Sequence, residues 1–332
     1  MSYVLVTGGA GYIGSHTCRH LLKAGHQIVV LDNLYSGHRW AVPEDAIFIE
    51  GNAGCAKTVK KLLNDYEVSA IIHFAGHIVV PESVEDPLKY YENNCSVTQT
   101  LATLAVQHKI EHMIFSSSAA VYGEPDELPV TESTQTNPIS PYGRTKLISE
   151  WLLEDVSRAN SSFDYVALRY FNVAGAALDG SIGQATPEAT HLIKVASELA
   201  MGKRQQISLF GTDYPTKDGT CVRDYIHIED LAAAHVSALR YLQTGGKSNI
   251  FNCGYGQGFS VQQVLDCVAK LVNQNLNVDV VGRRAGDPAE LIANNAKILS
   301  TLDWQPQYND IDLICKTALD WEQNLTIKKL SS

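Results

Sequence analysis

Long hydrophobic runs are missing from this 332-residue sequence, although 45% of its residues are hydrophobic. No apolar stretch reaches the roughly 18 residues that a membrane-spanning helix needs, and the first residues already read as a strand, so we expect neither a membrane anchor nor a signal peptide. Runs of Lys and Arg are also missing, and the formal net charge is −10. This balance excludes nucleic acid and anionic membranes as partners, and an anionic substrate would need locally placed arginines.

Paired cysteines are missing as well. The seven cysteines are odd in number, scattered, and contain no Cys-x-x-Cys pair, which excludes a disulfide framework and a zinc knot. A reducing cytoplasm fits this cysteine usage. His227 and Glu229 alternate on one face, but no third ligand stands nearby in the sequence, so we predict no metal site.

A glycine-rich turn near the start of the chain is the most informative feature that is present. An apolar run at residues 4–6 stops at Gly8, and a helical pattern begins near Tyr12. Without Cβ atoms, Gly8, Gly11 and Gly14 allow a tight turn, a close approach of the backbone to a pyrophosphate, and close packing of helix on strand. The helix N-terminus then faces the phosphates, which predicts a dinucleotide site.

An acidic residue at the end of the second strand supports this interpretation. The strand at residues 28–31 ends in Asp32, eighteen residues beyond Gly14. A carboxylate at this point accepts hydrogen bonds from both hydroxyls of a ribose. Because no Arg follows immediately, the sequence favours NAD over NADP.

The alternation of strands and helices predicts the fold class. Apolar strands at 46–50, 69–74, 113–115 and 165–169 alternate with helices such as 56–65 and 87–108, and Asn94 on the latter should face inward. Continuous apolar strands indicate a parallel sheet covered on both faces, which is a doubly wound α/β (Rossmann) fold. We assign residues 1–175 to this NAD-binding domain. Beyond that point the alternation breaks down, so residues 176–332 should form a smaller, mixed α/β substrate domain that returns at least once to the sheet.

Ser118, Tyr142 and Lys146 form a candidate catalytic set. Pro141 suits a first helical turn, so Tyr142 and Lys146 lie on one helix face, while Ser118 ends a neighbouring strand. A tyrosine needs a pKa shift of about three units, or about 4 kcal/mol, to act as a base near neutrality, and two adjacent positive charges can supply it. The set suits removal of a proton from a secondary alcohol while its carbon gives hydride to a nicotinamide. Alone, Tyr142 and Lys146 could also be surface residues of a helix.

Several motifs together resemble the extended short-chain dehydrogenase/reductases, and the resemblance runs from Tyr3 to about Trp321. They are Gly-Gly-Ala-Gly-Tyr-Ile-Gly at 8–14, His-Phe-Ala-Gly at 73–76, Tyr-Tyr-Glu-Asn-Asn at 90–94, Ser-Ser-Ser-Ala-Ala-Val-Tyr-Gly at 116–123, Pro-Tyr-Gly-Arg-Thr-Lys at 141–146 and Leu-Arg-Tyr-Phe-Asn at 168–172. Within that family, residues 210–227 resemble the UDP-glucose (UDP-galactose) 4-epimerases. Related 4,6-dehydratases carry Asp-Glu where this chain has Ser118-Ala119.

This resemblance implies an activity and roles for single residues. NAD would stay bound while hydride leaves C4 of a UDP-hexose and returns to its other face, with Tyr142 as the base, Lys146 as its electrostatic partner and Ser118 as a hydroxyl shuttle. The family also implies a homodimer, through helices that bear Tyr90, Tyr91 and Trp151. The implied cofactor neighbours are Gly8, Gly11, Tyr12, Ile13, Gly14, Asp32, Asn33, Leu34, Ser36, Gly37, Asn52, Ala53, Phe74, Ala75, Gly76, Asn94, Tyr142, Lys146 and Phe171. The implied neighbours of the UDP-sugar are Ser118, Tyr142, Asn172, His191, Leu192, Phe210, Arg223, Arg284, Asp287 and Leu291.

The arginines in that set are supported by their chemistry, because forked guanidinium groups suit a diphosphate. Without the resemblance, Arg223 and Asp224 could equally form an exposed ion pair. Three positions depart from the family pattern. Asn52 replaces an Asp that usually meets the adenine, Ile78 stands where several members have Lys, and Leu291 replaces a Tyr found beside the sugar in some members.

Three functions therefore stay open at the level of sequence. The first is a UDP-glucose 4-epimerase, which could also accept UDP-N-acetylglucosamine because Leu291 is smaller than Tyr. The second is a 4-epimerase of another UDP-sugar, such as a uronic acid or a pentose. The third is a non-catalytic, NAD-sensing protein of the same fold. The intact Ser118, Tyr142 and Lys146 set favours an enzyme.

Overall fold

A seven-stranded parallel sheet forms the centre of the molecule in the computed structural model, which describes residues 2–284 and 286–330. The strands are β1 (Tyr3–Thr7), β2 (Gln27–Asp32), β3 (Ile47–Glu50), β4 (Val68–His73), β5 (His112–Ser118), β6 (Asp164–Tyr170), β7 (Asn172–Ala174), β8 (Ile207–Phe210), β9 (Val222–His227), β10 (Asn249–Cys253), β11 (Gly258–Ser260), β12 (Val278–Val281) and β13 (Glu290–Leu291). The order in the large sheet is β10-β6-β5-β4-β1-β2-β3. The order runs outward in both directions from β1 and β4, as in a doubly wound fold.

Helices cover both faces of this sheet. They are α1 (Tyr12–Lys23), α2 (Ala56–Asp65), α3 (Val80–Glu85), α4 (Pro87–Tyr90), α5 (Val97–Gln107), α6 (Pro141–Ala159), α7 (Leu192–Ala200), α8 (Ile228–Gln243), α9 (Val261–Val272), α10 (Ala296–Thr301) and α11 (Ile311–Leu330). No helix within the described ranges is long and apolar enough to cross a membrane.

Strand β1 shows why the sequence gives this architecture. Val4 and Val6 belong to a core cluster with Leu21 of α1 and Leu231 of α8. Leu5, between them, belongs to a second cluster on the opposite face, with residues of α2 and α5. An apolar strand without alternation therefore buries side chains on both faces, because helices cover both. The predicted doubly wound parallel sheet is confirmed.

The helix predicted at 87–108 is wrong in one respect. Its middle, Tyr91–Ser96, is a π-helix between α4 and α5. The wider turn changes the phase of the side chains that follow it. Leu88 and Tyr90 precede this turn on α4 and point in nearly opposite directions, so Leu88 is 78% exposed while Tyr90 is fully buried.

The C-terminal half adds smaller sheets and one strand of the large sheet. Strands β11 and β13 each pair with β9, β7 also pairs with β9, and β12 pairs with β8. Strand β10 returns to the large sheet and pairs with β6 in parallel. The division at residue 175 into two domains stays a prediction, since the chain crosses between the two parts more than once.

Candidate active site

A cleft of about 1320 Å³ lies along the carboxyl ends of the large sheet. It runs from the glycine turn after β1, past the ends of β4 and β5, to β9 and β13 in the C-terminal half. Ligands of open α/β sheets bind at this edge, because the loops that leave parallel strands converge there. The sequence analysis predicted the candidate site residues at this carboxyl edge of the sheet.

The turn between β1 and α1 depends on glycine at two points. Gly8 has φ +74, and a Cβ there would lie 2.6 Å from the backbone nitrogen of Ala75. A Cβ on Gly14 would lie 2.2 Å from the carbonyl oxygen of Gly8. Gly11 is the N-cap of α1, and no side chain of the described residues caps this N-terminus. The first N–H groups of α1 are therefore available to a phosphate, with the positive end of the helix dipole behind them.

Asp32 lies beside this turn at the end of β2. It is 7% exposed; one carboxylate oxygen accepts from the backbone of Ala10 at 2.9 Å and the other from Leu34 at 2.8 Å. A carboxylate has about four acceptor positions, so lone pairs remain for a ribose. Leu34 has φ +57, which marks a tight loop after Asp32. The glycine cradle and this carboxylate fit the pyrophosphate and ribose of NAD.

Asn94 connects two other walls of the cleft. From the π-helix, its side chain accepts from the backbone nitrogen of His77 at 2.8 Å and donates to Thr145 Oγ1 at 3.0 Å. A Cβ on Gly76 would lie 3.1 Å from the Asn94 amide oxygen and 3.9 Å from Lys146 Nζ. Asn94 thus faces inward, as predicted, and holds the loop after β4 against α6.

Tyr142 and Ser118 come together at the middle of the cleft. Tyr142 is the second residue of α6, whose N-cap Ser140 accepts from Gly143, and Ser118 ends β5. Their side chains are hydrogen-bonded. Burial raises the pKa of Tyr142 above its ordinary value, and the hydrogen bond from Ser118 opposes that shift. A hydroxyl that stabilises the phenolate is what a tyrosine base requires.

Lys146 lies one helical turn further along α6. Its ammonium donates to the carbonyl of Ser116 at 2.7 Å and lies 5.8 Å from the centre of the Tyr142 ring. Burial lowers the pKa of Lys146 to about 8, and the charges of Cys95 and Glu150 oppose that effect. The ammonium therefore lies near the Tyr142 ring while it donates to Ser116, and among the described residues it is the Ser118 hydroxyl that opposes the rise in the Tyr142 pKa.

Two arginines and a carboxylate line the far end of the cleft. Arg284 makes two hydrogen bonds to Asp287, at 2.9 and 3.1 Å, and Arg223 lies 3.7 Å from the same carboxylate. The Arg284 guanidinium also lies 5.1 Å from the centre of the Phe210 ring. Asp224 is fully buried and accepts from backbone nitrogens instead, so the alternative of an exposed Arg223–Asp224 ion pair is wrong. The two guanidinium groups are placed to share an anion.

Leu291 lies between the arginines and the catalytic set. It is paired with Arg223 across β13 and β9, is 8% exposed, and packs in a cluster with Phe171 and Ala119. His191 is the N-cap of α7, and its ring is 2.8 Å from the Gln184 amide. Burial lowers the pKa of His191, which favours its neutral form.

Most of the predicted site residues line this single cleft. The exceptions are Leu34 and Gly37, in the loop after Asp32, and Asn94 and Lys146, which lie directly behind the wall. Sequence reasoning missed other lining residues, among them Tyr35, His77, Ser116, Tyr170 and Gln184. Tyr170 and Ser116 occupy the ends of strands, which was an available signal. Tyr35 and His77 lie in loops whose mutual position the sequence pattern does not specify.

Glu229 and two histidines form a separate cluster away from these residues. Its carboxylate lies 2.6 Å from His16 and 2.8 Å from His20, while His227 caps the backbone nitrogen of Glu229. Across the described residues, no group of three His, Cys, Asp or Glu side chains is placed to hold a metal ion.

Comparisons with known proteins agree with this geometry. A sequence profile of the NAD dependent epimerase/dehydratase family matches residues 4–254. The chain belongs to this family, whose members are NAD-dependent enzymes. The predicted cofactor, NAD, is confirmed by this family membership.

Three relatives make the comparison more specific. The UDP-glucose 4-epimerase of Azospirillum brasilense is 48% identical over 97% of this chain and 92% of its own length. The crystal structure of a UDP-glucose 4-epimerase from Brucella ovis in complex with NAD is 44% identical, with a TM-score of 0.93 over 96% of this chain and 98% of that one. The UDP-Glc/GlcNAc 4-epimerase of Campylobacter jejuni is 48% identical, with a TM-score of 0.86 over 98% of this chain and all of that one (100%).

Proposed function

We propose that this protein interconverts UDP-glucose and UDP-galactose by NAD-dependent oxidation and reduction at C4 of the hexose. The observation that carries the proposal is one continuous cleft that joins the glycine turn, the hydrogen-bonded Ser118 and Tyr142, and the arginine pair. The glycine turn and Asp32 would hold NAD, which would supply a reversible hydride acceptor for either face of C4. Residues 1–175 bind NAD, and residues 176–332 bind the UDP-sugar.

The protein's own residues handle the proton. The Tyr142 phenolate takes the proton of the C4 hydroxyl as the carbonyl forms, and gives it back when C4 is reduced. The Ser118 hydroxyl lies beside the phenol oxygen and bridges it to the sugar oxygen in either epimer. Because the proton and the hydride both return to the substrate, the cycle leaves no net change in the enzyme.

Arg223 and Arg284 bind the diphosphate. In a protein of net charge −10, these guanidinium groups supply the local positive field that a dianionic ligand needs. The diphosphate takes over hydrogen bonds that Asp287 accepts in the free protein. Anchoring at the nucleotide leaves the hexose free to turn over inside the cleft between the two hydride transfers.

The size of Leu291 extends the proposal to N-acetyl sugars. A leucine at this wall leaves room that a tyrosine ring would occupy, and an acetamido group is only a few heavy atoms larger than a hydroxyl. We therefore include UDP-N-acetylglucosamine among the substrates. The 48% identity to the UDP-Glc/GlcNAc 4-epimerase of Campylobacter jejuni supports this extension.

The test is incubation of purified protein with a panel of UDP-hexoses, UDP-uronic acids and UDP-pentoses, without added NAD. Separation of the nucleotide sugars should show C4 epimers of UDP-glucose and UDP-N-acetylglucosamine. Heat-denatured protein should release NAD in near-stoichiometric amount. Turnover of a uronic acid or a pentose alone would favour the second sequence interpretation, and bound NAD with no turnover of any sugar would favour a non-catalytic NAD sensor.

Homodimerisation and a cytoplasmic location complete the proposal. Trp151 on α6 is 54% exposed and Leu88 on α4 is 78% exposed, and both are large apolar side chains suited to burial against a second copy. The seven cysteines are all free thiols, which suits a reducing compartment. Sedimentation of the purified protein tests the dimer, and cell fractionation tests the location.

A further inference from the structure

Two loops on opposite sides of the glycine turn are in contact above it. Tyr35 follows β2, and its ring meets the ring of His77, which follows β4, at 5.0 Å between centres and in an edge-on arrangement. Strands β2 and β4 are not neighbours, because β1 lies between them in the sheet. The contact therefore spans the end of β1, where the turn that cradles the pyrophosphate begins. Both side chains line the cleft.

The His77 side of this bridge is fixed by buried neighbours. The His77 backbone nitrogen donates to the Asn94 amide oxygen at 2.8 Å, and its ring packs 5.5 Å from the ring of Tyr90. Tyr90 is fully buried, and its hydroxyl donates to the carbonyl of Val79 at 2.7 Å. His77 is thus held in place whatever Tyr35 does.

The Tyr35 side is held by its own loop. Asp32 accepts from the backbone nitrogen of Leu34, and Asn33 accepts from that of Tyr35 at 3.1 Å. Leu34 has φ +57, a conformation that costs energy for a side chain of its size. The strained residue turns the next one, Tyr35, back towards the cleft.

Lys89 makes the second point of attachment. Its ammonium lies 3.3 Å from the Tyr35 hydroxyl and 5.5 Å from the centre of the Tyr35 ring, and it is paired with Glu82. Tyr35 itself is 63% exposed, so it is the movable member of the group. Rotation of this one side chain would break both attachments and open the cleft above the glycine turn.

We propose that Tyr35, His77 and Lys89 form a clasp that closes over the dinucleotide and slows its release. The first turn of α1 would hold the pyrophosphate, and the Tyr35–His77 contact would cover it from the other side. NAD can then leave only after Tyr35 swings away. Retention suits an enzyme whose cycle regenerates NAD at every turnover. This inference rests on the NAD-dependent function proposed above.

The test is exchange of labelled NAD from the holoenzyme. Protein loaded with labelled NAD is mixed with a large excess of unlabelled NAD, and the retained label is followed with time for wild type, Tyr35→Ala, His77→Ala and the double variant. Loss of an aromatic contact of this kind changes an equilibrium or rate constant by about two- to tenfold. We expect each single variant to exchange about two- to tenfold faster than wild type. The double variant should exchange no faster than the faster single variant, because both changes remove the same contact.

Two further variants sharpen the test. Tyr35→Phe keeps the ring contacts with His77 and Lys89 and loses only the exposed hydroxyl contact to Lys89, so its exchange rate should stay within about twofold of wild type. Trp40→Ala removes another exposed aromatic from the same connection between β2 and β3, but Trp40 packs on His38 and Trp321, so its exchange rate should match wild type.

Several results would overturn the clasp. One is wild-type exchange rates in both single variants. Another is a double variant whose increase in the NAD exchange rate equals the product of the increases in the two single variants. Two side chains that contact NAD independently would behave in this way. A third is equal acceleration by Trp40→Ala, which would mean a general loosening of the connection. A wild-type protein that binds no NAD would instead contradict the proposed function itself.

Discussion

Removal of the Tyr142 hydroxyl is the most direct test of the site. Tyr142→Phe deletes one oxygen atom and leaves the ring, which belongs to a residue only 8% exposed, in place beside Lys146. The folded structure loses one hydrogen bond, to Ser118, so the free energy of unfolding should change by about 1 kcal/mol or less. The reaction loses its proton acceptor, and general acid–base catalysis is typically worth ~10²–10⁴-fold. We expect kcat to fall by that factor while NAD stays bound.

The assay measures epimer formation by separation of the two UDP-sugars, with the rate normalised to NAD content. Tyr165→Phe is the matched control, because it removes the same atom from a buried tyrosine in the core cluster on the α2 and α5 side of the sheet. Its kcat should stay close to that of wild type. If Tyr142→Phe retained more than about a tenth of wild-type kcat, Ser118 would have to be the base, and the roles assigned here would be reversed.

Three other changes probe the remaining parts of the site. Leu291→Tyr should lower kcat/KM for UDP-N-acetylglucosamine by about 10–200-fold and alter UDP-glucose little; an unchanged ratio between the two substrates would show that another wall sets the pocket. Gly14→Ala places a Cβ 2.2 Å from a carbonyl oxygen, so bound NAD should be lost and the free energy of unfolding should fall by about 1–3 kcal/mol, whereas Gly282→Ala, where a Cβ meets nothing within 4 Å, should leave both unchanged. Retention of NAD by the Gly14 variant would contradict the claim that the glycine turn holds the pyrophosphate. Burial lowers the pKa of Lys146 to about 8, so Lys146 loses its proton and positive charge as the pH rises through that value, and kcat/KM should decline above it; a pH profile that stays flat to about pH 10 would argue against a role for the ammonium.

The contact between Ser118 and Tyr142 shows where sequence reasoning reached its limit. The spacing of Tyr142 and Lys146 follows from the period of one helix, and both lie on its buried face. Ser118 stands on a different element, and only the packing of α6 against β5 brings its hydroxyl to the phenol oxygen. The position of Ser118 at the end of a neighbouring strand suggested this association, but the spacing of residues could not establish the contact.

The predicted helix at 87–108 shows a second limit. Apolar periodicity located its ends closely, but it cannot indicate that six residues in the middle adopt the wider π turn. Within that wider turn, the Asn94 amide is buried and makes hydrogen bonds to His77 and Thr145. Whether a helix adopts a π turn depends on packing, helix geometry and buried hydrogen bonds together. All three depend on neighbouring elements of the folded protein.

The amino-acid sequence by itself determined the features that depend on nearby residues: the strand, glycine turn and helix at the start, Asp32 at the end of the next strand, and a parallel sheet covered on both faces. These follow from short-range sterics and from hydrophobic periods, which are properties of one segment at a time. Only the tertiary structure decided that Arg223 and Arg284 share Asp287, and that Tyr35 meets His77 above the glycine turn. Those contacts join loops far apart in the chain, and their distances are set by how the whole sheet and its helices pack.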